Sequence, residues 1–155
     1  MITARQIKPV KEDFASFIEL CLEDHCIERI QYDYRSLSGI NDMLREFLTG
    51  EMLAYLVFED EEIAGCIFGP ATETEWEVHA LFKRHKDTLK GLKEIEKNVM
   101  PKHKFKRVFA RIPISNKAPQ LMFRKFGAKL NGISKKHFRV DHNNYEDCVI
   151  MEKEF

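Results

Sequence analysis

No long apolar run occurs in the 155-residue sequence, so a transmembrane helix is not expected. The opening stretch, MITARQIKPVKEDF, has no apolar segment leading to a small-residue cleavage site, and no signal peptide is expected. Cysteine is scarce. Cys21, Cys26, Cys66 and Cys148 stand apart with no CxxC pair, which argues against a disulfide framework and suits a reducing, cytoplasmic setting. The 7 glycines and 5 prolines nowhere gather into a linker, and no repeat or low-complexity tract occurs. A chain of this length buries about two-thirds of its unfolded surface without a staple, so a single domain over residues 1–155 is expected.

Net charge is absent too, but the charges are unevenly placed. Up to Glu77 there are 6 Lys+Arg against 17 Asp+Glu; from Val78 onward there are 19 against 8. A basic C-terminal half suits an anionic ligand such as a nucleotide cofactor, nucleic acid or an acidic partner. The same asymmetry also lets the two halves attract each other within one fold.

The apolar spacing predicts a strand at ITARQIK, ended by Pro9, and a helix over KEDFASFIELCLEDHC. A second helix, SLSGINDMLREFLTG, sets Ile40, Met43, Leu44 and Phe47 on one face and stops at Gly50. EMLAYLVFEDEEIAGCIFGP reads as a hairpin with an acidic turn, and ETEWEVHALFKR as one further strand. On that strand Trp76, Val78, Ala80 and Phe82 share one face; Glu75, Glu77, His79 and Leu81 share the other. A helix is expected to open at Asp87-Thr88, with Asp87 as its cap, and to close at Pro101. The strand KRVFARIPI, the helix NKAPQLMFRKFGA and two closing strands follow. The order β-α-α-β-β-β-α-β-α-β-β gives an α/β fold of the mixed α+β kind: a central, mostly antiparallel mixed sheet with helices on both faces.

That order, with PISNKAPQLMFRKFGAKLNGI near the end, resembles the GCN5-related N-acetyltransferase superfamily over nearly the whole chain. The most specific part is Asn116, Met122, Phe123, Lys125 and Gly127, followed by Gly132, where members tend to read N-x-x-A-x-x-L-Y-x-K-x-G-F. The strand WEVHALFKR is similar to phage-encoded members. The resemblance implies transfer of an acetyl group from acetyl-coenzyme A to an amine, with the cofactor in a wedge between the fourth and fifth strands. It implies a diphosphate held on backbone N–H groups at a helix start, in a loop of the form Q/R-x-x-G-x-G/A, where glycines and the helix dipole favour close approach of an anion.

Carried onto this chain, the cofactor would run along Leu81 and Phe82 at the strand end. It would then meet Lys83, Arg84, Lys86, Thr88, Leu89 and Lys90 in the loop and helix start. Arg84 fits the first loop position, whereas Asp87 and Leu89 stand where small residues belong; Asp87 would repel a diphosphate. Asn116 would contact the pantetheine arm or simply cap its helix. Phe123 occupies the place of a proton-donating Tyr and cannot donate, which leaves Tyr145 as a remote substitute. Glu77 and His79 are candidate bases for the amine, or a hydrogen-bonded structural pair.

Two further patterns carry other chemistry. CLEDHC sets Cys21 and His25 one helical turn apart, with Cys26 next, a spacing open to a metal or a thiol–imidazole pair, but no second ligand pair accompanies it. PKHKFKRVFARI interleaves basic and aromatic residues as nucleic-acid binders do, or forms a solvated approach to a buried strand. Three functional expectations follow. The first is an acetyltransferase acting on an unknown amine. The second is a non-catalytic module of the same fold, virion-associated or binding a protein partner. The third is nucleic-acid binding through the basic half.

Overall fold

The computed structural model describes residues 1–23, 26, 30 and 32–155, with the backbone alone at Tyr32. Its elements are β1 (Ile2–Gln6), α1 (Lys11–Leu22), α2 (Leu37–Thr49), β2 (Met52–Glu59), β3 (Glu62–Pro70), β4 (Glu75–Glu77) and β5 (His79–Phe82). They continue as α3 (His85–Glu94), β6 (Arg107–Pro113), α4 (Lys117–Phe126), β7 (Lys129–Arg139) and β8 (Tyr145–Glu154). Among the described residues no helix is long and apolar enough to cross a membrane.

Local chemistry sets most boundaries. The Ser36 hydroxyl accepts from the Gly39 N–H at 3.1 Å and starts α2, and Gly50 ends it in the left-handed region at φ 81°. In the β2–β3 turn, Asp60 and Glu61 both adopt positive φ, the twist that a two-residue hairpin requires. At the head of α1 the Asp13 carboxylate takes both Arg5 Nη atoms at 2.6 and 2.7 Å and the Lys8 N–H at 2.8 Å.

Two features depart from the sequence-based expectation. The single strand expected over ETEWEVHALFKR is two, β4 and β5, separated at Val78. The single sheet is correspondingly two four-stranded sheets, β1-β2-β3-β5 and β4-β6-β8-β7. β4 runs parallel to β6, with Trp76 beside Val108, whereas β5 pairs antiparallel with β3, with Ala80 beside Ile67. The Val78 N–H still reaches the Phe109 carbonyl at 2.8 Å; beyond it the chain turns to β3. The indole N–H of Trp76 donates to the Gly69 carbonyl at 3.2 Å and ties the crossing to the end of β3.

Helices cover both faces. Phe17, Ile40, Met43, Leu56, Cys66, Phe68 and Leu81 form one core under α1 and α2. Trp76, Phe82, Leu92, Val108, Phe123 and Met151 form the other under α3 and α4. The alternation of Leu56 with Val57 and of Leu81 with Phe82 between these cores is the period-two signature of strands buried on both sides. The charge asymmetry has a visible outlet within the fold. Glu59, Glu75, Glu77 and Asp33 of the acidic half pair respectively with Arg84, Arg107, Arg111 and Arg139 of the basic half.

Candidate active site

Where β5 and β6 part, a cavity of about 240 Å³ opens between the two faces. Met122 and Phe123 line it from the α4 side; Met43, Phe68 and His79 line it from the α2 side. The strand edges bordering it carry backbone groups that neither sheet uses. Lys83 gives its N–H to the Ala64 carbonyl at 3.0 Å, so odd-numbered residues of β5 turn their backbone toward β3. Ala80 therefore turns its N–H and C=O toward the wedge. On β6, Ile114 bonds to β8 through the Asp147 carbonyl at 3.0 Å, which leaves Arg111 facing the same gap.

Four polar groups of the cavity, Glu77, His79, Arg111 and His137, gather on the α2 face, and His85, Thr88 and Asn116 line it from the starts of α3 and α4. Arg111 Nη1 lies 3.2 Å from both oxygens of Glu77, whose side chain is only 12% exposed, so this carboxylate is paired. Burial pushes the His79 imidazole below its ordinary pKa; His137 and Arg111 push the same way and Glu77 opposes them. His137 is lowered by burial and by Arg111, again against Glu77. Both rings are thus held neutral, the form that accepts a proton. The Cys148 thiol on the neighbouring strand is pushed up to about 11, mainly by burial, which leaves it an inert neighbour. Tyr34 also lines the cavity; burial, and then Glu46, Asp33 and Asp42, raise its phenol pKa and keep the proton on oxygen.

The helix start differs from expectation. α3 begins at His85 after Arg84, so Asp87 is its third residue and not its cap. The Asp87 carboxylate is buried. It takes Arg84 Nε at 2.8 Å, with Lys90 Nζ at 3.8 Å. Arg84 also donates to Glu59 at 2.9 Å, and Lys90 lies 3.4 Å from the same carboxylate. Two cations expected to meet phosphate are therefore held by carboxylates. The backbone N–H groups of Leu89 and Lys90 fall beyond the first four positions of the helix, where intrahelical carbonyls take them up. Donors without an intrahelical acceptor sit earlier, as at Lys86. Thr88 is buried and lines the cavity, and Leu89 packs against the α3–α4 core.

The remaining candidates separate clearly. Leu81 lines the wedge, but Phe82 is fully buried, its ring so close to Gly65 and Gly91 that a Cβ at either would lie 2.4 Å away. Asn116 precedes α4 and lines the cavity, yet its side chain makes no capping hydrogen bond, so the simple-cap reading is corrected. Phe123 is 3% exposed and belongs to the core as well as to the cavity wall. Tyr145 is corrected as a proton donor: it stands at the start of β8, 54% exposed and outside the cavity lining, with the Arg139 guanidinium 6.0 Å from its ring. His25 lies outside the described residues; Cys21 and Cys26 are buried thiols, and no metal-holding cluster occurs among the described residues. In PKHKFKRVFARI, Phe105 stacks on Trp76 and His103 inside the fold, and Phe109 is flanked by Arg107 and Arg111 at 4.2 and 5.5 Å. Sequence reasoning missed Arg111, His137 and Tyr34, which reach the cavity from separate elements and share no motif.

No family model and no curated protein matches the sequence. Solved structures do match. A probable acetyltransferase from Staphylococcus epidermidis superposes with a TM-score of 0.78 at 17% identity, covering 99% of this chain and 99% of that one. The Salmonella typhimurium acetyltransferase that modifies the N-terminal serine of ribosomal protein L7/L12 gives 0.77 at 13% identity, over 99% and 95%. The microcin C7 self-immunity acetyltransferase MccE, in complex with acetyl-CoA and AMP, gives 0.76 at 14%, over 99% and 93%. The chain has the GCN5-related N-acetyltransferase fold. In the terms of that fold, β4 and β5 together are the fourth strand and β6 is the fifth. The cavity between them is the wedge that the sequence resemblance anticipates.

Proposed function

We propose that this protein transfers an acetyl group from acetyl-CoA to an amine across the wedge. The carrying observation is the cavity itself, open to both faces, with unused strand-edge groups at Ala80 and Arg111 and two neutral imidazoles on one wall. The pantetheine arm fits that slot, since its amides match an exposed strand edge and Asn116 and Leu81 flank it. Lys83, Lys86 and the early N–H groups of α3 would hold the diphosphate. Arg84 and Lys90 would do so only after leaving Glu59 and Asp87. The cofactor supplies a thioester, whose C–S bond breaks as the amine forms a C–N bond, the bonding pair leaving with sulfur. His79 takes the proton that the amine must lose. Glu77, already bound to Arg111, sets the field around that ring and is not the base.

What supports this reading is the fold of the compared acetyltransferases together with the arrangement of the wall. Isothermal titration with acetyl-CoA, followed by thiol release with a panel of amines, tests it. Binding and amine-dependent release that His79→Gln reduces by about a hundredfold are expected. No heat with the cofactor at about millimolar concentration overturns it.

One observation favours a second reading, a non-catalytic module of the same fold. The buried Asp87 carboxylate and its ties to Arg84 and Lys90 place negative charge at the start of α3, where a diphosphate would sit. On that reading acetyl-CoA does not bind and a macromolecular partner co-purifies.

A further inference from the structure

β7 is irregular where it passes the wedge. Ser134 pairs with Cys148 and Phe138 with Glu146, so four steps along β7 match two along β8. Lys136 adopts φ 47°, a left-handed conformation uncommon for a side chain of its kind, and its N–H is held by the Asp147 carboxylate at 2.7 Å. His137 follows this irregularity and lines the cavity with Glu77, His79 and Arg111. A bulge adds residues on one side of the ladder and re-aims the side chains beside it. Strained backbone of this kind persists where the surroundings hold it. Here Asp147 provides that hold.

We propose that His137 is an acceptor-binding residue, aimed into the wedge by the Lys136 bulge so that the incoming amine lies between two imidazoles. The inference rests on the acetyl-transfer reading for the reaction but not for the binding. A primary amine has two N–H groups. His79 and His137 can each accept one while the lone pair points to the acetyl carbon. When the C–N bond forms and the C–S bond breaks, one proton passes to His79; the other N–H stays on the amide, leaving the His137 contact intact. The charged and titratable groups acting on the His137 ring are Glu77 on β4, His79 on β5 and Arg111 on β6. The Glu77–Arg111 pair leaves the wall close to neutral. Met43, Met52 and Phe68 line the same side of the cavity, with the Phe68 ring 5.5 Å from that of His79, and suit an apolar amine body.

The test uses the full chain, acetyl-CoA, and phenethylamine with its N-methyl analogue as probes. The primary amine is expected to react faster than the N-methyl one, which has a single N–H to share. His137→Ala is expected to lower kcat/KM for phenethylamine by about tenfold or more and to narrow the gap between the two amines. His137→Gln, whose amide oxygen still accepts, recovers part of the rate and covers the case in which the alanine variant fails to fold. In parallel, histidine-selective NMR follows the His137 ring as phenethylamine is added with coenzyme A; its resonances are expected to move. A protein whose His137 signals move but which transfers no acetyl overturns the acetyl-transfer reading and upholds the assignment. Transfer with unmoved His137 signals and an unchanged His137→Gln rate and preference overturns the assignment alone. Neither movement nor transfer overturns both.

Discussion

The backbone at Gly69 passes so close to Glu77 that a Cβ on Gly69 would lie 1.8 Å from the Glu77 carbonyl oxygen. This contact seats the end of β3 against β4 at the point where the chain changes sheets. Gly69→Ala must push the two backbones apart and disturb the Trp76 indole bond to the Gly69 carbonyl. We expect a loss of about 1–3 kcal/mol in urea unfolding, with weaker cofactor binding because the wedge loses its edge. An unchanged midpoint would show that β4 can step aside freely.

The two neutral histidines give a pH signature. Above the ordinary imidazole pKa of about 6.5 both are neutral folded or unfolded and contribute nothing to pH dependence. As pH falls through that value the unfolded chain takes up protons first, because burial depresses both rings in the fold. Stability should therefore decline from there down to the folded-state values. His79→Gln should flatten the decline, as read from denaturation midpoints across pH. The acid limb of the rate profile should likewise fall below the ordinary histidine range.

The start of α3 predicts a trade. Asp87→Asn removes a buried charge from the place where an anion would bind and frees Arg84 from one partner. Acetyl-CoA should bind several-fold tighter by titration calorimetry, while the fold loses about 1 kcal/mol, a modest cost because Arg84 is more than half exposed. Unchanged or weaker binding would place the diphosphate elsewhere.

At the other end of the chain, the Arg5 guanidinium holds the Asp13 carboxyl below the usual carboxylate range, with burial opposing it. Its stabilisation is complete above the unfolded carboxyl pKa and is lost as pH falls through the folded one. Asp13→Ala strands Arg5 and the Lys8 N–H, and should cost about 2–3 kcal/mol in thermal unfolding.

Much of the fold was legible locally. Gly50 and Gly127 announce helix ends because left-handed backbone depends on the residue itself. The alternation in EWEVHALF separates the two faces correctly, since strand period needs no tertiary knowledge. The break at Val78 was not legible: the same residues satisfy one long strand, and only the competing claims of β3 and β6 divide it. Asp87 shows the same limit, because a cap and a third-position carboxylate differ only in where the helix begins. Of the cavity wall, Glu77 and His79 sit in one motif and were found together. Arg111 and His137 come from other strands, and no pattern in KLNGISKKHFRV announces the bulge beside His137.

The crossing at Val78 lies beside the boundary between the acidic and basic halves. β4, from the acidic half, completes the sheet of β6, β7 and β8, and β5, from the basic half, completes the sheet of β1, β2 and β3. Two polypeptides divided between Glu77 and Val78 would thus each carry the strand that the other lacks. They would also bear opposite net charges. Such a pair forms a split protein with its own recognition code, one that assembles more readily as salt is lowered and builds the wedge only when both pieces meet.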